Sequence, residues 1–266
     1  MGMPSEIGKH ILPIYKFLYD DVRNYYFEHY GRKYDKYFDI ELGTLHNMFS
    51  NKEERCFIWG SGPSLKNTNL DLLRDEINFA SNTLAFHPKA KYFSVFSCYD
   101  WLAWCDVRKK AMKLDSSIFL GGKAGQKYLS KKRWHDTKTK RNIVVVKRRG
   151  GFEDYPLTHT FDINLYKGAW HDASVVGFNI QLAHWMGFKK IYLIGMDCDY
   201  SSGRWNTKTQ QDNNRFFGCQ VVNTNSLIRS LEKMKKLFDD TNREIINCTV
   251  GGKLEVFERK KLEEVL

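Results

Sequence analysis

Arg55-Cys56-Phe57-Ile58-Trp59, followed without a break by Gly60-Ser61-Gly62-Pro63-Ser64-Leu65, is the stretch on which the fold turns. A short apolar run that stops at Gly-x-Gly and resumes with Pro-Ser reads as a buried strand, a tight turn and a helix start, the helix continuing through Asn69 to Arg74. Downstream, Ile77-Asn78-Phe79-Ala80-Ser81-Asn82 and Tyr92-Phe93-Ser94-Val95-Phe96 read as two more strands that end in polar residues. The same alternation returns later in the chain. Ala173 to Gly187 has Val176, Ile180, Ala183 and His184 at helical spacing, with Gly187 as a stop; Lys190 to Gly195 is a buried strand. Asn225 to Asp240 is a helix with Leu227, Leu231, Met234 and Leu237 on one face, and Glu244 to Cys248 is a strand. Strands alternating with helices predict an α/β fold: a Rossmann-like, doubly wound, mostly parallel sheet.

Two regions depart from that rhythm. Residues 1–52 are rich in Tyr and Phe, with Ile14, Phe17, Leu18, Val22, Tyr25 and Tyr26 at helical spacing. They read as an N-terminal helical extension, an arm packed on the core or on a second subunit, which makes a homo-oligomer an expectation. The rest, 53–266, reads as the Rossmann-like domain. Within it, residues 113–172 have no clear period and are read as an insertion or lid, although Ile118-Phe119-Leu120 and Ile143-Val144-Val145-Val146 look like strands.

The 266 residues, 42% of them hydrophobic, are enough for one substantial core. No apolar run approaches the roughly 20 residues that cross a bilayer, and no apolar signal stretch opens the chain. A cytoplasmic protein without a transmembrane segment is the expectation. The six cysteines are scattered, with no C-x-x-C pair, and read as reduced thiols. The net charge of +11 points to anionic partners: nucleotides, acidic acceptors or nucleic acid. Much of the excess lies between Lys123 and Arg149.

Ligands of open parallel sheets bind beyond the C-terminal strand ends, where three polar clusters fall: Gly60 to Ser64, Ser81-Asn82 and Asp197 to Tyr200. Gly60 and Gly62 would let backbone amides approach a phosphate, and a helix starting at Pro63-Ser64 would turn its positive end toward an anion. Strand alternation would place Asp197 and Asp199 on one side, as a base or as oxygen ligands for Mg²⁺; no metal ligand set is assigned. His171 precedes a helix and faces the same crevice.

At these residues the chain resembles the bacterial sialyltransferases that use CMP-sialic acid, and the related group of MptE-like hydroxymethylpterin diphosphokinases and motility-associated Maf glycosyltransferases. The correspondence runs from about Arg55 to Arg259, through Phe57 to Leu65, Asn82, the block from Ser174 to Asp197, and the tail Ile246-Asn247-Cys248-Thr249-Val250-Gly251-Gly252. The resemblance implies a donor site of Gly60, Ser61, Gly62, Pro63, Ser64, Asn82, Ser174 and Gly195, with Tyr200 as the nearest tyrosine for the leaving phosphate. Where those enzymes have a histidine base, this chain has Cys219 after Phe216-Phe217-Gly218. A thiol is mostly protonated at neutral pH, so Asp199 and His171 become the choices for the base. The implied function is transfer of a nonulosonate-type sugar from a CMP-linked nucleotide-sugar donor. The tail is closer to the MptE-like and Maf group, which keeps open pyrophosphoryl transfer from ATP with Mg²⁺. The basic segment keeps open a nucleic-acid-directed module.

Overall fold

The structure is a computed structural model, and it describes residues 42–50, 55–131, 143–151, 161–171, 174–199 and 224–266. These belong to one compact unit, Leu42–Leu266. Of the helical extension read for residues 1–52, residues 1–41, 51 and 52 lie outside the described residues, as do Tyr200, Cys219 and most of the basic run between Lys131 and Arg141.

Among the described residues, eight strands make one sheet: β1 (Arg55–Trp59), β2 (Asn78–Ser81), β3 (Phe93–Cys98), β4 (Ser117–Leu120), β5 (Ile143–Val145), β8 (Lys190–Ile194), β9 (Glu244–Asn247) and β10 (Glu258–Arg259). Their order is β10-β9-β8-β1-β2-β3-β4-β5, and every pairing is parallel. The chain lays down β1 to β5 in one direction, then returns to place β8 on the free side of β1. That reversal is the topological switch point. Two further strands, β6 (Arg148–Gly151) and β7 (Ala169–His171), pair by themselves, also in parallel.

Both faces of the sheet are covered, which is why its strands read as unbroken apolar runs. Cys56 and Ile58 join one core with Phe178 and Ile180 of α3 (Val175–Met186) and Leu231 and Met234 of α4 (Thr224–Asp240). Phe57 and Trp59 point the other way, Phe57 stacking on Tyr192 and Trp59 meeting Phe93 and His87 edge-on. Ser174 caps α3 and Gly187, with φ 95°, ends it. Residues 42–50 fasten to its far end: Trp185 Nε1 donates to Leu42 O at 2.9 Å, and Phe49 stacks on Phe188.

Three sequence expectations change here. The region from 113 to 172 is not a separate insertion in its described part, because β4 and β5 extend the main sheet; with only three or four residues each, they carry too little pattern to declare a period. The helix expected from Asn69 to Arg74 is instead two 3-10 turns, Pro63–Asn67 and Leu70–Leu73. Two helices that the apolar spacing did not announce connect these strands, α1 (Trp101–Ala111) between β3 and β4, and α2 (Gly122–Lys131) between β4 and β5. Asp100 starts α1 by accepting from the backbone N–H groups of Leu102 and Ala103.

His184, on α3, packs edge-on to Phe238 with ring centroids 5.2 Å apart. Burial, then Arg243 and His46, hold its pKa down to about 3. An unfolded histidine takes up a proton near pH 6.5, so from there downward the unfolded chain binds a proton that the native chain refuses, and stability falls with falling pH. His87, lowered to about 4 by burial and then by Lys89, acts in the same direction. We expect the urea midpoint to drop between pH 6.5 and 5, and to drop less in His184→Gln; parallel curves for the two proteins would contradict this.

Candidate active site at the β1–β8 switch point

The parallel register sets Trp59 against Ile194, so the next residues of the two strands, Gly60 and Gly195, come together. They are packed backbone to backbone. A Cβ on Gly60 would overlap the Gly195 carbonyl oxygen, and a Cβ on Gly195, where φ is 64°, would lie 2.8 Å from Gly60 O. Gly60 N–H donates to Ile194 O at 2.7 Å and Gly62 N–H to Gly195 O at 2.9 Å. Asp197 completes the tie: its Oδ2 accepts from Ser64 Oγ at 2.7 Å and its Oδ1 from Ser64 N–H at 3.2 Å. A Cβ on Gly62 would overlap that carboxylate.

This geometry alters the expected phosphate cradle. Of the amides from Gly60 to Ser64, those of Gly60, Gly62 and Ser64 are engaged inside the protein and Pro63 has none, which leaves the Ser61 N–H as the amide available to a ligand. The 3-10 turn Pro63–Asn67 is too short to build a helix dipole of any size. Ser61, Gly62 and Pro63 are half-buried, while Gly60 and Gly195 are buried.

The other residues singled out in the sequence have partners of their own. Asn82 follows β2 with φ 51°, a left-handed geometry that asparagine tolerates, and its Oδ1 accepts from the buried Cys98 thiol at 3.1 Å. Ser174 caps α3, its hydroxyl accepting from Gly177 N–H at 3.4 Å. Because α3 runs back from the C-terminal edge of the sheet to the start of β8, its N-terminus lies on the same edge as Gly60 and Asn82. Ser97 Oγ donates to Asn179 Oδ1 at 2.6 Å, and the buried Asn179 Nδ2 has no partner among the described residues. His171 is the last residue of β7, which Gln181 of α3 holds by accepting from Trp170 N–H at 2.7 Å.

Asp197 and Asp199 do not face one way. Cys198 between them has φ 49°, so the chain is not extended there and strand alternation does not apply. Asp197 turns to Ser64, and Asp199 pairs with Lys253 Nζ at 3.0 Å. The described residues therefore do not offer the two carboxylates as one cation site, and among them no group of three or more His, Cys, Asp or Glu could hold a metal ion.

The loop after β9 is the part that sequence reasoning left without a role. Asn247 Nδ2 donates to Leu254 O at 2.9 Å and closes the loop on itself, Thr249 Oγ1 accepts from Met196 N–H at 3.0 Å, and Lys253 N–H donates to Asp197 O at 2.7 Å. Arg259 donates to the carbonyls of Thr249, Gly251 and Gly252. The Asn-Cys-Thr-Val-Gly-Gly tail was visible as a motif; its docking on β8 depends on side-chain bonds that spacing does not reveal.

Of the basic segment, Arg149 is committed within the protein: it pairs with Asp162 at 2.6 Å, stacks over the Trp170 ring at 4.0 Å and helps hold the Asp162 carboxyl low, although burial alone would raise it. A cleft of about 500 Å³, lined by Arg74, Lys91, Tyr92, Ser94 and Asp115 among others, lies at the opposite, N-terminal edge of β2 to β4. It contains none of the residues above.

Fold and site together define a parallel α/β protein whose candidate site residues lie on the C-terminal edge of the sheet, beside the switch point. No protein-family model matches the sequence, and no curated protein matches it. Among solved structures it is similar to the sialyltransferase CstII from Campylobacter jejuni. With CstII in complex with CMP-3FNeuAc the identity is 15%, over 77% of this chain and 85% of that chain, at a TM-score of 0.50. With CstII in complex with cytidine-5'-monophosphate the identity is 16%, over 77% and 84%, at a TM-score of 0.44. The likeness is one of fold alone, that of a Rossmann-like, mostly parallel α/β sheet. No described helix is long and apolar enough to cross a membrane.

Proposed function

We propose that this chain is a glycosyltransferase that moves a nonulosonate-type sugar from a CMP-linked donor to an acceptor hydroxyl, with the nucleotide seated at the β1–β8 switch point. One observation carries the reading: the Gly60–Ser64 turn, Asn82, the Ser174 cap and the 195–199 loop all lie on the C-terminal edge of a parallel sheet. It is supported by a fold shared with CstII, a protein whose structure holds CMP-3FNeuAc. In such a transfer the acceptor oxygen bonds to the anomeric carbon as the bond from that carbon to the phosphate oxygen breaks. CMP departs with the electron pair, and a base takes the acceptor proton. In this reading the Ser61 N–H and the N-terminus of α3 stabilise the departing phosphate. Asp199 and His171 are the choices for the base.

The test is nucleotide release from CMP-sialic acid and from ATP, each with and without chelator. CMP release that survives chelation is expected. Metal-dependent release of AMP would replace the reading with pyrophosphoryl transfer, and salt-sensitive DNA binding without either release would replace it with a nucleic-acid module. In the same assay Asp197→Asn should lower turnover at least about tenfold, ~1.4 kcal/mol in the barrier, because the neutral amide weakens the hold on Ser64. Steady-state rates check this. Undiminished turnover would confine Asp197 to a role that catalysis does not feel.

A further inference from the structure

We infer that Lys253 is a binding residue for the nucleotide phosphate, its ammonium leaving Asp199 to meet the anion; this rests on the nucleotide reading given above.

The argument starts from a shortage. Three of the backbone amides in the Gly60–Ser64 turn are already spent on Ile194, Gly195 and Asp197, so the turn itself offers a phosphate little beyond the Ser61 N–H. A phosphate that carries one negative charge in the donor and close to two in released CMP lacks a counter-charge when one amide holds it. In the turns 60–64, 195–199 and 249–253 the cationic side chain is that of Lys253.

Its placement suits the task. In the strand order β9-β8-β1, the loop after β9 stands one strand away from the crevice, on the same edge. The base of the loop is fixed, by Lys253 N–H on Asp197 O at 2.7 Å and by the Arg259 guanidinium on the carbonyls of Thr249, Gly251 and Gly252. Its tip is not: the Lys253 side chain is 69% exposed, and its pairing with Asp199 at 3.0 Å is a surface ion pair of the kind that holds weakly. A rigid backbone carrying a long, loosely held cation is an arrangement that an arriving phosphate anion can redirect. Asp199 is then relieved of the Lys253 charge as the donor binds.

Calorimetric titration of CMP and of cytidine into wild type, Lys253→Gln and Lys253→Arg, with a urea midpoint for each, tests the assignment. Lys253→Gln should weaken CMP about tenfold, leave cytidine within about twofold and keep its urea midpoint, and Lys253→Arg should recover most of the CMP affinity. Unchanged CMP affinity in Lys253→Gln would overturn the inference and leave the nucleotide reading standing. An equal loss for CMP and cytidine, or a lowered urea midpoint, would also overturn it, making the lysine a prop of the loop. Wild type that binds neither probe would overturn the nucleotide reading, and the inference with it.

Discussion

Gly60→Ala should destabilise the protein by about 3 kcal/mol, at the upper end of what overpacking costs, although it adds one methyl group. The reason lies in what that methyl would meet. Most overpacked sites can move a side chain aside, but at Gly60 the obstacle is the backbone of Gly195: its carbonyl oxygen would be overlapped and its carbonyl carbon would lie 2.7 Å away. Gly195 cannot retreat easily. Its oxygen accepts from Gly62 N–H, and the next residue, Met196, donates to Thr249 Oγ1. The methyl would therefore push apart the two central strands just where they are most tightly laced. Urea denaturation of the two proteins measures the difference, and a loss within about 0.5 kcal/mol would contradict the packing described.

Gly62→Val should abolish CMP binding, by at least about a hundredfold or ~2.7 kcal/mol, and should also lower stability by about 2 kcal/mol. In sequence, Gly62 reads only as room for backbone amides to approach a phosphate. The structure adds the second cost, because a Cβ at this position overlaps the Asp197 carboxylate and lies 2.6 Å from Gly195 O. The side chain of Asp197 can swing away where the backbone at Gly195 cannot, so the penalty is smaller than at Gly60. Swinging away, however, breaks both bonds to Ser64, and with them the shape of the turn that exposes the Ser61 N–H. Titration with CMP beside a urea curve separates the two effects; full CMP affinity would remove the turn from the binding site.

The sheet was legible because its strands are buried on both faces. Phe57-Ile58-Trp59 and Ile191-Tyr192-Leu193-Ile194 could be read as strands from apolar content alone, and the Gly that closes each run marked the edge where ligands sit. The direction of the Gly60 turn could also be read, but its internal bonding could not. Gly-x-Gly-Pro-Ser announces a tight turn equally well whether its amides point to a phosphate or to a neighbouring carbonyl. The pairing of Asp197 with Asp199 failed for a local reason, since alternation assumes an extended chain and one left-handed residue, Cys198, cancels it. α1 was missed because it begins on Asp100 directly beyond β3 and ends in Arg108, Lys109 and Lys110, leaving a short apolar face of Ala103, Trp104 and Val107. Lys253 and Arg259 look like ordinary surface charge in sequence; their partners, Asp199 and the carbonyls of 249 to 252, appear when the loop is folded.

Amide hydrogen exchange with and without saturating CMP bears most directly on the claim that the nucleotide sits at the switch point. Binding there predicts slower exchange in 60–65, 195–199 and 249–253, with no change in 74–77, 91–94 and 115–117 around the cleft at the opposite edge of the sheet. Slowing confined to that opposite cleft, or exchange that CMP leaves unaltered throughout, would contradict it.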